Sequence, residues 1–481
     1  MRKRYLLLLL SAVLPALARG QADALWTPAP APHYTFIAAG GNTIAQPQAL
    51  DNVLKKLQRI RHTRKGTVSI VHIGDSHLQA DGITRVVRNE AHQYFGDAGR
   101  GLVFPYQVAG SNAPKDVFSS SNVKWANGKL TNSNMRPLTG ICGYYLQTGK
   151  AGAILHLRLK PQDSTQEYFN RMVFFLGRQR DSYKLTDSAL ATPKALATVA
   201  GVDTPSVVLE TDTLMTGFGL GKSTLPGEDN FEFYGVSLER KDAPGVLYHT
   251  IGVNGACYEQ YTANDLFWHQ VAALHGDLFI VSMGTNEAQR QGITEADMTA
   301  AVDAFVKRIR NIAPKADILL TTPAGSYYRK KKPNVVLQRV ADAFSKYSER
   351  NKIACWDLYT LSGGKASAQG WKKNGMLGGD LVHYNMAGYE LQGALLLNAF
   401  AAAYNKYERQ HPYKAEVVAI PKIIVAKPTP QPIAKEVIKP AATPPPAAPQ
   451  PAVPAPAPPK QDPVNEPPPP KTKNIKVEYM D

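Results

Sequence analysis

Three side chains with the chemistry of an acyl-transfer site lie in two distant parts of this sequence. Ser76 follows a strand pattern and begins a helical pattern, which exposes its hydroxyl beside backbone N–H groups. A serine nucleophile needs a base, and the base needs a group that orients it. Asp380 and His383 lie three residues apart, so one loop can present a carboxylate and an imidazole together. The carboxylate can accept from one ring nitrogen while the other faces Ser76.

A tetrahedral intermediate also needs hydrogen-bond donors for its oxyanion. The candidates are the backbone N–H groups of Ser76 and Gly255 and the side-chain amide of Asn286. Gly252 lies close to Gly255 and is the alternative there. Each residue alone has a simpler interpretation, because serine and aspartate cap helices and asparagine is common in turns. Their order, each at a strand end or helix start, favours catalysis.

Other polar residues near these positions indicate supporting roles. His77 cannot easily face the hydroxyl of its own neighbour, so we interpret it as a loop-orienting residue outside the triad. His72 lies within a strand pattern and is interpreted as a hydrogen-bonded core histidine. The basic run 329–332 is typical of a solvated loop. Contact with an anionic glycan or phosphate is the alternative for that run.

The elements that must position these residues alternate between strands and helices. Apolar runs predict strands, and helical periodicity separates them. This alternation predicts an α/β fold with a mostly parallel sheet, whose sites lie at the carboxyl ends of the strands. The predicted strands are 68–73, 278–283, 317–322 and 353–358, and the predicted helices are 49–61, 83–95, 295–312, 334–350 and 385–404.

A stretch of different texture interrupts this alternation. Between residues 116 and 243 the apolar and polar residues alternate at 154–159, 171–176, 206–209 and 231–236, with turn residues between them. No helical period occurs there. The pattern predicts a β-sandwich-like module of roughly 120 residues, inserted into the α/β domain.

The N-terminus has the features of an export signal. Arg2, Lys3 and Arg4 precede an apolar run that is shorter than the roughly 20 residues needed to span a bilayer. Ala16-Leu17-Ala18 offers a cleavage site, with Ala22 and Ala24 as others. An uncleaved anchor is the alternative.

Composition separates the C-terminal end from the rest. Residues 421–470 hold 19 of the 36 prolines, which predicts an extended, solvated polyproline II segment. A spacer is the simplest role for this segment, and a basic tether that reaches an envelope partner is the alternative. Residues 475–479 alternate weakly and could form a short docking strand.

The overall composition excludes several protein classes and is compatible with a globular protein. The 481 residues include 44% hydrophobic residues, which fits a globular protein and excludes a polytopic membrane protein and a fibrous repeat. A net charge of +16 allows an anionic partner without choosing one. Cys142, Cys257 and Cys355 have no metal-ligand spacing, so we interpret them as core residues, although one pair could bridge after export.

The chain resembles the SGNH (GDSL-like) hydrolase superfamily over residues 49–115 and 247–405. Gly74-Asp75-Ser76-His77 is similar to the first block of that family and Gly255 to the glycine of the second. Gly284-Thr285-Asn286-Glu287 is similar to the third block, which more often ends in Asp, and Asp380-x-x-His383 is similar to the fifth.

The resemblance implies a three-layer α/β/α fold and ester hydrolysis without a metal or cofactor. It implies that Ser76 is the nucleophile, that Asp380 and His383 complete the triad, and that Ser76, Gly255 and Asn286 form the oxyanion hole. The β-rich insertion and residues 95–99 and 248–256 are similar to bacterial peptidoglycan O-acetylesterases. In that family the insert resembles a carbohydrate-binding module and helps to form the active-site cleft. Structural packing is the alternative role.

These observations predict a specific domain organisation. We expect a signal peptide at 1–22, a hydrolase domain in two parts at 23–115 and 247–412, a β-rich insert at 116–246, and a disordered proline-rich tail at 413–481.

The expected protein is an exported serine esterase of the periplasm or cell envelope, acting on O-acetyl groups of a glycan, above all peptidoglycan. An O-acetyltransferase with the same triad and a non-catalytic wall-binding protein are the alternatives. We expect no stable transmembrane anchor. Nucleic acid is not an expected partner, because export removes access to it and no interleaved aromatic–basic motif occurs.

Overall fold

The computed structural model describes residues 25–132, 139–162, 165–177, 183–186, 194–195, 206–222 and 231–414. The chain divides into two units, Met1–Ala415 and Glu416–Asp481, and all described residues belong to the first. The predicted signal peptide at 1–22 lies outside the described residues. The predicted tail at 413–481 also lies outside them, apart from its first two residues.

Helices and strands follow one another in the order that the sequence patterns predict. In the described ranges the strands are β1 (Ile44–Ala45), β2 (Thr67–Gly74), β3 (Gly101–Val103), β4 (Val117–Ser121), β5 (Ala126–Lys129), β6 (Tyr144–Thr148), β7 (Ile154–Leu159), β8 (Phe169–Leu176), β9 (Tyr183–Thr186), β10 (Lys194–Ala195), β11 (Val207–Met215), β12 (Gly217–Lys222), β13 (Phe231–Glu239), β14 (Gly245–Gly252), β15 (Leu278–Ser282), β16 (Asp317–Thr321), β17 (Tyr327–Tyr328), β18 (Lys332–Pro333) and β19 (Ala354–Trp356). The α-helices are α1 (Asp51–Thr63), α2 (Ser76–Gln79), α3 (Gly82–Phe95), α4 (Tyr258–Thr262), α5 (Asp265–Val271), α6 (Thr285–Ala288), α7 (Glu295–Ile312), α8 (Val336–Asn351), α9 (Leu358–Leu361), α10 (Ser367–Lys373) and α11 (Met386–Gln410).

The main sheet is mostly parallel, as predicted. Its strand order is β1-β19-β16-β15-β2-β14, and every neighbouring pair is parallel except the edge strand β1 with β19. Strand β2 lies between β15 and β14 and is buried from Val68 to Gly74. A strand covered on both faces has to be mostly apolar, and the two buried polar residues within β2, Ser69 and His72, both form hydrogen bonds.

Helices cover both faces of this sheet. Val68 and Ile70 of β2 join the apolar core beneath α1, α3 and α11, whereas Val71 and Ile73 join the core beneath α5, α7 and α8. This division follows from the two-residue period of a strand, which sends successive side chains to opposite faces. The domain is therefore a three-layer α/β/α structure, as the family resemblance implies.

The β-rich insertion consists of two antiparallel sheets. One has the order β10-β9-β12-β7-β4, and the other has the order β11-β8-β13-β6-β5, with β3 also paired to β13. Apolar side chains from both sheets meet between them; the rings of Phe174 and Phe218, for example, lie 5.3 Å apart, edge to face. The module is β-sandwich-like, as predicted, and its second sheet includes β3, which precedes residue 116.

A buried network of charged residues joins the α/β domain to the insert. Asp81 accepts two hydrogen bonds from Arg88, at 3.0 and 2.8 Å, and one from Arg100, at 2.8 Å. Arg100 also donates to Asp116 at 2.6 Å and pairs with Glu167 at 3.0 Å. Both arginine side chains are only 1% exposed, so each carboxylate compensates a charge that water does not reach.

The last helix is longer than predicted. Helix α11 continues six residues beyond Tyr404, to Gln410, because Tyr407 is still buried against the same apolar core. Although α11 is long, no helix in the described part of the chain is both long and apolar enough to cross a membrane.

The three cysteines behave as core residues. Cys142, Cys257 and Cys355 are all buried and free, so none is bridged in this structure. Burial raises the pKa of each thiol, and that of Cys355 reaches about 12. Such thiols remain protonated at neutral pH.

Candidate active site

A sharp turn after β2 presents Ser76 at the start of a short helix. Asp75, whose backbone is extended, caps this helix by accepting the N–H of His77 at 2.9 Å. The helix cap is therefore Asp75, and the hydroxyl of Ser76 is free for another contact. Gly74 is required here, because a Cβ atom at this position would lie 2.6 Å from the Ser282 carbonyl oxygen.

Ser76, His383 and Asp380 form a continuous chain of hydrogen bonds. Ser76 Oγ lies 2.7 Å from His383 Nε2, and His383 Nδ1 lies 2.5 Å from Asp380 Oδ2. The chain spans 307 residues of sequence. It has the geometry of a nucleophile, its base and the group that orients the base.

The loop that carries Asp380 and His383 is folded by the same carboxylate that orients the ring. We call residues 378–383 the histidine loop. Asp380 Oδ1 accepts the backbone N–H groups of Val382 and His383, each at 2.9 Å. Leu381 between them has φ +60°, a left-handed conformation that costs energy for a branched side chain. The hydrogen bonds to Asp380 compensate for this strain.

The carboxyl group of Asp380 is held in its ionised form. Burial alone would raise its pKa, but the hydrogen bonds from His383 and from the backbone of Val382 outweigh burial and lower the pKa to about 2. Asp380 is therefore negatively charged throughout the neutral range. A negative charge at this position would stabilise a protonated His383 ring.

His77 connects the histidine loop to residues 74–79, which we call the serine turn. Its Nδ1 lies 2.8 Å from Asp75 Oδ1, and its Nε2 lies 3.2 Å from the Val382 carbonyl oxygen. Burial would lower the pKa of His77, but the charge of Asp75 and the hydrogen bonds to both partners outweigh burial and raise it. This arrangement matches the loop-orienting role predicted from the sequence.

The register of three parallel strands brings the predicted oxyanion residues to one edge of the sheet. Gly74 is paired with Gly252 on one side and with Ser282 on the other. Ser76, Gly255 and Asn286 follow these three positions by two to four residues. Asn286 Nδ2 donates to the Ala256 carbonyl oxygen at 2.9 Å, which ties it to the segment that carries Gly255.

Gly255 and Gly252 have different roles in the structure. Gly252 packs against the serine turn, where a Cβ would lie 2.5 Å from the Gln79 backbone nitrogen. Gly255 is exposed and has φ +83°. Gly252 is thus closely packed, whereas Gly255 is exposed and remains the candidate donor.

Two buried residues near the site form contacts that the sequence motifs do not predict. Gln79 contacts three neighbouring segments through its side-chain amide. Glu287, next to Asn286, accepts the Tyr258 N–H at 2.8 Å, and burial raises its pKa to about 7. The sequence gives only their positions, Gln79 two residues after the first block and Glu287 at the end of the third, and these positions do not reveal their contacts.

The remaining polar residues are where the sequence analysis places them. His72 is fully buried and lies 2.8 Å from the Tyr248 hydroxyl and 2.6 Å from Ser282 Oγ. Burial lowers its pKa to about 3, so it is a neutral core histidine. The basic run 329–332 is exposed.

Known proteins resemble the chain in sequence and in fold. Residues 214–391 match the GDSL-like Lipase/Acylhydrolase family, a range that includes Gly255, Asn286, Asp380 and His383 but begins after Ser76. No curated protein matches the chain.

Among solved structures, a peptidoglycan O-acetylesterase aligns with a TM-score of 0.61 at 23% identity, covering 77% of this chain and 98% of its own. An acetylxylan esterase from Geobacillus stearothermophilus aligns at 17% identity over 32% of this chain and 73% of its own, with a TM-score of 0.27. The salicylyl-acyltransferase SsfX3 aligns at 15% identity over 63% and 96%, with a TM-score of 0.29. The family match and the shared fold show that this chain is similar in sequence to GDSL-like lipases and acylhydrolases over residues 214–391 and has the α/β fold of SGNH (GDSL-like) hydrolases.

Proposed function

We propose that this protein is an exported serine esterase that removes O-acetyl groups from cell-wall peptidoglycan. The observation that carries the proposal is the hydrogen-bonded chain from Ser76 Oγ through His383 to Asp380, with distances of 2.7 and 2.5 Å. It supports a nucleophile that is activated without rearrangement of the loop.

In the proposed reaction His383 takes the proton of Ser76 while the serine oxygen attacks the acetyl carbonyl carbon. The N–H groups of Ser76 and Gly255 and the amide of Asn286 are the proposed donors to the resulting oxyanion. The bond between carbon and the sugar oxygen then breaks, and His383 returns the proton to that oxygen. Water attacks the acetyl-enzyme, again losing a proton to His383, and acetate leaves as Ser76 regains its hydrogen.

Two observations support a peptidoglycan substrate. The fold similarity to a peptidoglycan O-acetylesterase covers 98% of that protein and 77% of this chain, which is more than the two proposed hydrolase parts contain by themselves. Residues 1–22 carry four basic residues and no acidic one, and the chain without them keeps a net positive charge, which suits a polymer that carries carboxylates.

The insert and the chain termini complete the proposal. We propose the predicted boundaries, 23–115 and 247–412 for the hydrolase and 116–246 for the insert, with the insert bordering the cleft. Hydrogen bonds from Lys129 and Thr131 of the insert to Asn254 support this placement. The basic and apolar N-terminal residues 1–22 support export, and the proline-rich tail 413–481 is proposed as a spacer within the envelope.

The test is acetate release from O-acetylated peptidoglycan and from p-nitrophenyl acetate by the wild type and Ser76→Ala. We expect kcat to fall by roughly 10⁴-fold or more in the variant, because the nucleophile is lost. Full activity of Ser76→Ala would contradict the proposal. Transfer of acetyl groups to a glycan without release of acetate would favour an acetyltransferase instead.

A further inference from the structure

The peptide group between Asn254 and Gly255 carries the proposed second oxyanion donor. A trans peptide is planar, so the Gly255 N–H points in the direction opposite to the Asn254 carbonyl. Any contact that holds this carbonyl therefore sets the direction of the N–H. Local sterics do not set it, because glycine adopts positive and negative φ with similar ease. The observed φ of +83° must be selected by surrounding contacts.

Two side chains of the insert hold this carbonyl. Lys129 Nζ and Thr131 Oγ1 each lie 3.3 Å from the Asn254 oxygen and donate to it. Lys129 is the last residue of β5, and Thr131 follows two residues later. The Thr131 methyl group is also the nearest neighbour of Gly255, at 3.8 Å from the position of a Cβ atom. An ammonium on the carbonyl also polarises the peptide, which strengthens its N–H as a donor.

The preceding peptide is held from the hydrolase side. Gln79 is 2% exposed, and its Oε1 accepts the Asn254 N–H at 3.0 Å and the Tyr144 hydroxyl at 2.8 Å. The Asn254 side chain donates to Asn112 Oδ1 at 2.7 Å, and that oxygen also accepts from Gln79. The N–H and side chain of Asn254 are therefore fixed by residues outside the 126–131 segment. Among the described residues, its carbonyl accepts side-chain hydrogen bonds from Lys129 and Thr131.

We propose that the β insert completes the oxyanion hole, with Lys129 and Thr131 acting as positioning residues. They hold the Asn254 carbonyl and thereby aim the Gly255 N–H at the developing oxyanion. The inference rests on the proposed esterase function and deepens it. It assigns the insert a role in catalysis that is separate from any binding of glycan.

The test uses the double variant Lys129→Met/Thr131→Val in the full chain, since both replacements keep most of the side-chain volume. For p-nitrophenyl acetate we expect kcat per active site to fall roughly 10- to 100-fold while KM changes less than about threefold. Methylboronic acid forms a tetrahedral adduct with the serine, so its inhibition constant should rise by a similar factor. Lys124→Met is the matched control, because Lys124 is an exposed lysine just before β5, and it should behave as the wild type.

Two results would overturn the inference. One is a double variant with the kcat of the wild type. The other is a loss of kcat with unchanged affinity for methylboronic acid, which would indicate a structural role only. Active sites are titrated by the initial burst of p-nitrophenol, so misfolded protein does not enter kcat. These results differ from a failure of the proposed function. If the proposed function is wrong, Ser76→Ala will be fully active. If only this inference is wrong, turnover will still depend on Ser76 and the double variant will retain it.

Discussion

The imidazole rings of His77 and His383 lie stacked, with centroids 5.2 Å apart and planes inclined by 27°. His77, which follows Ser76, thus packs against the ring of His383, although it forms no hydrogen bond to that ring among the described contacts. Its own two nitrogens contact Asp75 and the Val382 carbonyl, one on each side of the site. Both partners accept hydrogen bonds, which favours the protonated form of His77.

The first prediction concerns the pH dependence of stability that His77 confers. Its folded-state pKa is raised, so its stabilising contribution is complete below the unfolded pKa near 6.5 and is lost as pH rises through the folded value. The difference in unfolding free energy between the wild type and His77→Phe should therefore narrow from pH 6.5 to pH 9. Urea unfolding at both pH values measures this difference, and a constant or widening gap would contradict the prediction.

The same variant, His77→Phe, should also lower kcat roughly 10- to 100-fold, because the histidine loop loses its hydrogen bond to the serine turn.

The second prediction is that Glu287 makes the free energy of unfolding depend on pH and that Glu287→Gln abolishes this dependence. Burial raises its pKa to about 7, so the folded state holds a proton that the unfolded chain releases near pH 4.5. Stability is then lost as pH rises from about 4.5 through 7, by an amount of the order of 3 kcal/mol. Glu287→Gln should be more stable relative to the wild type at pH 8 than at pH 4, as thermal unfolding at both pH values would record. Glu259→Gln, on the exposed face of α4, is the control, and an equal pH response in both variants would refute the assignment.

Asp380→Asn tests the orientation of the base. The carboxamide can still accept hydrogen bonds, but it carries no charge to stabilise the imidazolium of His383. We expect kcat to fall by roughly 10²- to 10⁴-fold with little change in KM. Stopped-flow measurement of the acylation step checks this expectation. A loss confined to KM would instead point to substrate binding.

We expect Arg100→Met to lose much stability, because Arg100 belongs to the buried charged network between the α/β domain and the insert. The substitution leaves Asp81 and Asp116 without a shared partner in a site that water does not reach. We expect a loss of about 3–5 kcal/mol in the free energy of unfolding. Arg240→Met provides the comparison, because Arg240 is 37% exposed and pairs with Asp97 at the surface. That substitution should cost less than about 1 kcal/mol, and equal losses in the two variants would contradict the role of burial.

Much of the α/β domain could be predicted from the local pattern of apolar residues. The helix predicted over 295–312 coincides with α7, and the strand predicted over 68–73 lies within β2. These elements are encoded by periodicity, since the 3.6-residue and 2-residue repeats of apolar side chains are properties of the chain itself. Four insert strands, β7, β8, β11 and β13, overlap the alternating runs predicted at 154–159, 171–176, 206–209 and 231–236, whereas the other insert strands were not predicted. Strand β1, with two residues, is too short to carry a period, and its pairing with β19 depends on tertiary contact.

The residue types of the candidate site, and the motif spacing around them, were determined by the sequence alone. Ser76, Asp380 and His383 could be proposed as partners because their chemistry is complementary. Their 2.7 and 2.5 Å contacts depend on the parallel register of β2, β14 and β15 and on the docking of the histidine loop. The contacts of Lys129 and Thr131 with the Asn254 carbonyl were decided only by the tertiary structure. The direction of a peptide N–H next to a glycine is not a local property, since it depends on groups more than 120 residues away in the chain.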